Sequence, residues 1–508
     1  MQTRKLTIRN NQRWELDRVP LLEPGVFRKR VIEEVQAGAR LANFYGCPEA
    51  GGEVRLFALL AQDDQSKLHI YSFKVSKDVP SFQSLTPELP QAHGFEREIA
   101  EQYAVKPEGH PYFKPVRYHK NYRNVPGLWS ESGDNVISGG MSFFQAQGEE
   151  VHEVGVGPVH AGVIEPGHFR FLCHGEEILN LEIQLGYQHR GIENMMSSVS
   201  AERQILLAES IAGDTVIGHA MAYCGVLESL ASCHLSPRAE ALRAVALELE
   251  RLANHTGDLG ALSADIGFLP ASAYFGRLRG EFLNLSMELT GSRFGRSFCR
   301  PGGVLFDMDS KMTDDFRRRL VRAKEDVQEI SKLLLEESSV LARMENVGII
   351  SSGMVKEWGL VGPAARASGC AHDIRMDYPH GLYRFHQVPI SIVNNGDVYS
   401  RAMIRWLEAR RSIDFLLELI ERIPKGEILR PLGALKERHM ALAMVEGWRG
   451  EIIHIVTTDS DAQIAHYKIK DPSFHNWTAL ALAVRGEQIS DFPLCNKSFN
   501  LSYAGHDL

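Results

Sequence analysis

The chain has 508 residues, of which 44% are hydrophobic and 24% are charged, with a formal net charge of −8. This length suits two or three domains with substantial cores, and the composition is that of a globular protein rather than a disordered one. A negative net charge provides no basic footprint for nucleic acid or for an anionic membrane surface.

The beginning of the chain, MQTRKLTIRNNQRWELDRVP, has no apolar run after its charged residues, so we expect no signal peptide. No stretch approaches about 20 uninterrupted apolar residues, which predicts that no segment spans a bilayer. Seven cysteines are scattered along the chain, and none belongs to a Cys-x-x-Cys pair. This pattern favours reduced thiols in a cytoplasmic protein and gives no local signature of zinc or an iron–sulfur cluster.

Residues 1–125 have the pattern of a small α+β domain. The stretches EVRLFALLAQ and KLHIYSFKV alternate as strands do, and HGFEREIAEQYAV has the apolar spacing of a short helix. Residues 126–155 are rich in Gly, Ser, Asn and Asp, which indicates a linker or a long loop.

Residues 156–508 show long helical periodicity. We expect one helix to begin at Ser236-Pro237 and to stop at Gly257 and Gly260. Its apolar residues recur every three or four positions: Leu242, Val245, Leu249 and Leu252. Further long helices are predicted in YFGRLRGEFLNLSMELTG, DDFRRRLVRAKEDVQEISKLLLEESSVLARM and SRAMIRWLEARRSIDFLLELIERI. The expected fold is therefore an α+β N-terminal domain followed by a mainly α large domain, with a long-helix bundle core and small β elements.

Several motifs resemble a known family. In the first domain, FEREIAEQYAV and GHPYFKPVR are similar to the 30 kDa subunit of respiratory complex I. Six blocks of the larger domain resemble, in order and spacing, the large subunit of group 4 nickel–iron hydrogenases: GPVHAGVIEPGHFRF, LGYQHRGIENMM, HAMAYCGVLESL, LELERLANHTGDLG, GPAARASGCAHDIRMDYP and NWTALALAVRGEQISDFPL. The whole chain looks like the formate hydrogenlyase type, a fusion of the 30 kDa subunit with a domain similar to the 49 kDa subunit of complex I.

This resemblance implies a subunit of a membrane-bound, complex I-like oxidoreductase assembly. The expected partners are a small iron–sulfur subunit, which would hold a [4Fe-4S] cluster, and membrane subunits of the antiporter-like and anchor types. The chain would lie in the cytoplasm, on the inner face of the cell membrane, attached through these partners.

The family holds nickel and iron with four thiolates from two Cys-x-x-Cys pairs, because soft thiolates suit a redox-active nickel. The matching positions here, which we call the four ligand positions, are Ala212, Thr215, Ser502 and Gly505. We therefore expect no nickel–iron centre and no cofactor in this chain. The chain also ends at Leu508, about where the maturation protease of the family cuts, which agrees with a subunit that receives no nickel.

Complex I binds a quinone in the corresponding cavity, between a histidine and a tyrosine. The matching positions are Pro166 and Gly213, although His168 and Tyr223 lie close by in the sequence. A quinone site of that type is not expected. A set of oxygen and imidazole groups could instead bind magnesium, manganese or zinc, or could bond to water and backbone: Asp214, Thr215, Ser502, His506 and Asp507.

Other polar residues match the family. We take six of them as candidate proton-relay or cavity residues: Arg190, Glu193, His219, Arg366, Asp373 and Arg375. Buried carboxylates beside arginines can relay protons, because burial raises their pKa and a nearby cation lowers it. The alternative is a set of buried ion pairs that fix helix packing. The isolated histidines are interpreted as packing or surface residues: His110, His160, His372, His380 and His475.

Three functions are compatible with this pattern. The first is a hydrogenase-related large subunit without nickel that couples a small iron–sulfur subunit to a membrane ion-translocating module. The second is an active oxidoreductase subunit, similar to NADH:quinone oxidoreductase, whose altered cavity binds a quinone or a small substrate. The third, an active hydrogenase, conflicts with the four ligand positions. The sequence leaves open whether the chain is itself an enzyme.

Overall fold

The computed structural model describes residues 5–123, 125–129, 140, 142–161 and 164–508. Much of the predicted linker, residues 126–155, lies outside the described residues. Within that predicted linker, a strand begins at residue 151. The boundaries of the two domains stay a prediction.

The N-terminal part is an antiparallel sheet that packs against two helices. Its elements are β1 (Leu6–Ile8), β2 (Gln12–Glu15), α1 (Pro24–Gln36), β3 (Arg40–Pro48), β4 (Val54–Gln62), β5 (Lys67–Val75), β6 (Ser81–Gln83), α2 (His93–Tyr103) and β7 (Lys106–Glu108). The strand order is β1-β5-β4-β3. Strands β4 and β5 and helix α2 confirm the predictions for this part.

The larger part combines long helices with small sheets. Its elements are β8 (Val151–Val156), β9 (His168–His174), β10 (Glu177–Gln184), α3 (Ile192–Met196), α4 (Ala201–Ala208), α5 (Val216–Ala231), α6 (Pro237–Asp265), α7 (Leu269–Thr290), β11 (Cys299–Arg300), β12 (Gly303–Val304), α8 (Ser310–Glu336), α9 (Ser338–Met344), α10 (Ser352–Trp358), α11 (Gly362–Arg366), α12 (Ile374–Asp377), α13 (Val398–Glu421), β13 (His439–Gly447), β14 (Gly450–Thr458), β15 (Ile464–Lys470), α14 (Ser473–Ala483), α15 (Phe492–Phe499) and α16 (Tyr503–Asp507). The predicted fold class is confirmed.

The helix bundle consists of α6, α7, α8 and α13. The predicted start of α6 is confirmed, because the Ser236 hydroxyl accepts a hydrogen bond from the Ala239 N–H at 3.1 Å. The predicted stop is wrong, since α6 continues through both glycines to residue 265. A Cβ atom on Gly260 would lie 3.0 Å from Phe275 Cβ of α7, so this glycine permits close helix packing instead of ending the helix. The stretch predicted as one helix is divided into α8 and α9 at Glu337, whose backbone is extended.

The N-terminal strand β2 pairs with β13, giving a second sheet with the order β15-β14-β13-β2. Apolar residues of the two sheets share one core, in which Phe57 and Leu59 join Leu442 and Ile453. The sheet therefore ties the first residues of the chain to the larger part. None of the described helices is long and apolar enough to cross a membrane.

Candidate functional site

Two distant segments, the turn before α5 and the region of α16, meet through two arginines. The Arg190 guanidinium donates to the carbonyl oxygens of Ile211 and Ala504, each at 2.9 Å. The Arg449 guanidinium donates to the carbonyl oxygen of Asn500 at 2.6 Å. The segments that carry the four ligand positions therefore lie together, as the resemblance implies.

An ion pair lies at the first of these segments. The Asp214 carboxylate accepts two hydrogen bonds from Arg449, at 2.6 and 2.8 Å, and another from the Thr215 hydroxyl at 3.2 Å. Burial alone would raise the pKa of Asp214, but the Arg449 charge lowers it below its usual value. The Arg449 guanidinium also lies 3.9 Å from the centre of the Trp448 ring. Asp214 is thus an ionised carboxylate with a fixed cationic partner.

The last ligand position, Gly505, is closely approached by the Asp471 carboxylate. A Cβ atom on Gly505 would lie 2.7 Å from the Asp471 carboxylate carbon, which is far inside contact distance. Asp471 is held in this place by His219 Nε2 at 3.0 Å and by the Ser473 N–H at 2.8 Å. A side chain at position 505 therefore requires displacement of Asp471.

The other three ligand positions, Ala212, Thr215 and Ser502, are at most 3% exposed. The Ser502 hydroxyl accepts a hydrogen bond from the Gly505 N–H at 2.9 Å and caps α16. Alanine and glycine provide no side-chain ligand, and neutral hydroxyls are poor ligands for soft metals. The residues at these positions do not fit a nickel–iron centre.

The residues considered for a replacement metal take part in hydrogen bonds and ion pairs within the protein. Asp507 accepts hydrogen bonds from the backbone N–H groups of Gly186 and Gln188, at 2.8 and 2.9 Å. His506 Nδ1 lies 2.9 Å from the same carboxylate, whereas Asp214 pairs with arginine. In the described ranges, no group of three or more His, Cys, Asp or Glu side chains is arranged to hold a metal ion. Ser502 and Asp507 both accept hydrogen bonds from backbone N–H groups.

A buried series of hydrogen bonds, which we call the histidine chain, leads from β15 to the Gly505 position. Tyr467 Oη lies 2.7 Å from His454 Nδ1, and His454 Nε2 lies 3.1 Å from His219 Nδ1. His219 in turn contacts Asp471, and each of the four side chains is at most 2% exposed. Burial holds the pKa of His454 well below its usual value, so this ring is neutral at neutral pH. Hydrogen-bond distances therefore link Tyr467, the two histidine rings and Asp471 in one continuous buried series.

Glu193 lies in a different network. It accepts hydrogen bonds from Lys468 Nζ at 2.9 Å and from Gln102 Nε2 at 2.8 Å. Lys468 also donates to Glu98 at 2.7 Å, and Glu98 pairs with Arg117. Burial alone would raise the pKa of Glu193, but the charges of Lys468 and Arg117 lower it to about 2. Glu193 is therefore ionised at neutral pH, and its network joins the larger part to α2.

Three candidates meet in one buried cluster. Arg375 donates to Asp373 at 3.0 and 2.7 Å, and Arg366 lies 3.7 Å from the same carboxylate. Arg366 also donates to Glu408 and Glu446, each at 2.8 Å. Burial opposes ionisation of Asp373, yet the two arginines lower its pKa to about 2. Burial and the Asp373 charge raise the pKa of Glu446, so the cluster places carboxyl groups of different proton affinity side by side.

The six predicted residues do not form a single site. Arg366, Asp373 and Arg375 share one cluster, whereas the other three belong to separate hydrogen-bond networks. Sequence reasoning missed the partners that complete these networks: Glu98, Arg117, Glu408, Glu446, Arg449, His454, Tyr467, Lys468 and Asp471. The segment YKIKD contained one signal of these partners. Two lysines alternate there with apolar residues, as in a buried strand, and buried cations require carboxylate partners.

The two residues considered as substitutes for the quinone ligands have different partners. His168 Nδ1 lies 3.1 Å from the Gly157 carbonyl oxygen, and the buried Tyr223 donates to Gln204 at 3.1 Å. The structure therefore gives no hydrogen-bond partner common to His168 and Tyr223 in the described part of the chain.

His372, which the sequence predicts as a packing or surface residue, is buried and bonded to charged neighbours. Its ring lies 2.5 Å from the Asp377 carboxylate and 3.0 Å from the Arg40 guanidinium. Burial would lower the pKa of His372, but the charge of Asp63 and the bond to Asp377 raise it well above its usual value. His372 is a buried member of a cluster of charged residues between the N-terminal and larger parts.

Comparison with known proteins agrees with this architecture. The family described as the 49 kDa subunit of respiratory-chain NADH dehydrogenase matches residues 265–436 and 433–507, and that of the 30 kDa subunit matches residues 37–127. The chain is 30% identical to the carbon monoxide-induced hydrogenase of Rhodospirillum rubrum, over 69% of this chain and 97% of that protein. It therefore belongs to the family of group 4 hydrogenase large subunits and complex I 49 kDa subunits, here joined to a 30 kDa-type domain.

Two further relatives cover different lengths. Formate hydrogenlyase subunit 5 of Escherichia coli is 26% identical over 92% of this chain and 85% of its own length. NADH-quinone oxidoreductase subunit 4 of Thermus thermophilus is 28% identical over 67% of this chain and 90% of its own length. The relatives thus include both hydrogenase-type and quinone-oxidoreductase-type subunits.

Proposed function

We propose that this chain is a hydrogenase-related large subunit that works without nickel in a membrane-bound, complex I-like oxidoreductase assembly. It holds a small iron–sulfur subunit with a [4Fe-4S] cluster against membrane antiporter-like and anchor subunits. Its place is the cytoplasmic face of the membrane, where these partners attach it.

The observation that carries this proposal is the contact between Gly505 and Asp471. A thiolate at position 505 and the Asp471 carboxylate cannot occupy the same space, since a Cβ alone would lie 2.7 Å from the carboxylate. The Asp214–Arg449 ion pair supports the same conclusion at the other segment. At both segments, a charged side chain of the protein lies beside a ligand position: Asp471 beside Gly505, and Asp214 next to Thr215. Neither segment contains a cysteine that could provide a thiolate.

The test is isolation of the native assembly through a tag on this chain. The tag belongs at the N-terminus, because Leu508 is only 2% exposed. After mild detergent extraction, we expect a small iron–sulfur subunit and membrane subunits to co-purify, with a [4Fe-4S] signal in the electron paramagnetic resonance spectrum of the reduced sample. Elution of the chain alone would contradict the assembly, and hydrogen-dependent dye reduction would contradict the loss of hydrogenase chemistry.

The second candidate, an oxidoreductase that reduces a quinone or a small substrate, is favoured by the histidine chain. Reduction of an organic carrier consumes protons, and the histidine chain ends at the Asp471 carboxylate, beside Gly505. In the isolated assembly, quinone-dependent oxidation of the reduced cluster that is lost in His454→Gln would favour this candidate over a purely structural role.

A further inference from the structure

A small cavity of about 20 Å³ lies between α6 and α7, beside Asp214. Glu250 of α6 also borders it, as do Arg293 and Phe294, which are exposed at the protein surface. A cavity needs about 10–15 Å³ to hold a water molecule, so this one has room for a single water. It therefore provides a place for one water molecule between the Glu250 side chain and residues at the surface.

Glu250 is a buried carboxyl group at the beginning of α5. Its two oxygens accept hydrogen bonds from the backbone N–H groups of Ile217 and Gly218, at 2.7 and 3.2 Å. These N–H groups lie in the first turn of α5, directly after the ligand position Thr215, and the N–H groups of a first turn have no partner within their helix. Glu250 therefore joins α6 to the segment that carries the first two ligand positions.

No described cation forms an ion pair with Glu250. The Arg251 guanidinium donates to Glu248 and to two backbone carbonyl oxygens, and the Arg293 guanidinium lies over the Phe294 ring. Burial raises the pKa of the nearby Cys299 thiol to about 12, so this thiol is neutral. The ionisable groups around Glu250 come from four parts of the fold: Asp214 before α5, Arg251 on α6, Arg293 after α7 and Cys299 on β11.

These surroundings oppose ionisation of Glu250. Burial and the charge of Asp214 raise the pKa of Glu250, whereas the two N–H groups and Arg251 lower it. The resulting pKa is about 8, against a usual 4.5. Asp214, in contrast, is held ionised by Arg449. Two carboxyl groups of different proton affinity therefore border the same cavity.

We propose that Glu250 is a proton-exchange site, whose carboxyl holds one proton at neutral pH and exchanges it with solvent through a water molecule in this cavity. On release, the proton passes from the carboxyl oxygen to the water and then to solvent. The carboxylate that remains is stabilised by the N–H groups of Ile217 and Gly218. Uptake follows the reverse course. This exchange requires neither nickel nor a partner subunit, so the full-length chain is sufficient for its test.

The test is infrared spectroscopy of the purified full-length chain at a series of pH values. A protonated carboxyl group has a C=O stretching band that a carboxylate lacks, so part of this band should disappear as the pH rises through about 8. The same part should be absent from Glu250→Gln at every pH. Glu248→Gln is the matched control on α6. Burial would raise the pKa of Glu248, but Arg251 and Arg375 lower it, so the control should retain the titrating band.

Two further variants keep the test informative even if Glu250→Gln does not fold. Asp214→Asn removes a neighbouring negative charge, so the band should disappear at a lower pH than in the wild type. Ser286→Leu narrows the cavity from α7 and should slow the isotope shift of the band after transfer into heavy water.

Three results would count against the proposal. No loss of the band in the wild type through this pH range, or an identical loss in Glu250→Gln, would overturn the assignment to Glu250. An unchanged midpoint in Asp214→Asn would contradict the influence of the Asp214 charge. Isotope exchange at the wild-type rate in Ser286→Leu would overturn the cavity as the route of the proton.

Discussion

At the residue scale, Gly505 has a structural role, because the missing side chain leaves room for Asp471. We expect Gly505→Ala to destabilise the protein by about 1–3 kcal/mol, the usual cost of adding a methyl group to a filled site. The matched control is Gly213→Ala in the neighbouring segment, since a Cβ there meets no atom within 4 Å. The control should change stability by at most about 0.5 kcal/mol. Urea unfolding of both variants measures the difference, and equal stabilities would contradict the assigned contact.

The lowered pKa of Glu193 predicts how the stability of the protein depends on pH. Its pKa is about 2 in the folded protein against a usual 4.5, so its ion pairs stabilise the fold fully above the higher value. This contribution is lost as the pH falls through the folded-state pKa. The stability difference between the wild type and Glu193→Gln should therefore be largest near neutral pH and should shrink as the pH falls from 4.5 towards 2. Denaturant unfolding at several pH values measures it, and a difference that stays constant over this range would show that Glu193 is not ionised in the fold.

At the element scale, alanine substitutions at two glycines of the bundle helices should change stability in different ways. Gly276 on α7 has open space around it, so Gly276→Ala should stabilise the protein by up to about 1 kcal/mol through helix propensity. Gly260 on α6 faces α7, and an added Cβ would meet Phe275 at 3.0 Å. Gly260→Ala should therefore lose this gain or destabilise the protein. Thermal unfolding of the two variants distinguishes them, and equal stabilisation would contradict close packing at Gly260.

These glycines also show what the sequence can predict about the elements. The start of α6 follows from Ser236 and Pro237, because a cap depends only on neighbouring residues. The end of α6 could not be predicted from Gly257 and Gly260, because these two glycines permit close contacts with another helix and do not end their own. The pairing of β2 with β13 was likewise not predicted, since it joins residues more than four hundred positions apart.

At the scale of the whole molecule, the four ligand positions could be found by resemblance, but what lies beside them could not. Asp471 reaches Gly505 from the end of β15, and Arg449 reaches Asp214 from the turn between β13 and β14. Neither contact has a local sequence signal. The pattern around Lys468 signals a buried charge, but it does not identify Glu193 and Glu98 as the partners that this lysine links. Charged residues in buried strands indicated that partners exist, and only the fold identifies them.

The central claim is that this large subunit works without nickel, and its most direct test is the nickel content of the native assembly. The complex is isolated from cells grown with added nickel, washed with a chelator, and analysed by plasma mass spectrometry alongside a group 4 hydrogenase purified in the same way. We predict nickel far below one atom per chain in this protein and near one in the hydrogenase. Near-stoichiometric nickel that survives the chelator wash would contradict the account, since the four ligand positions contain no thiolate.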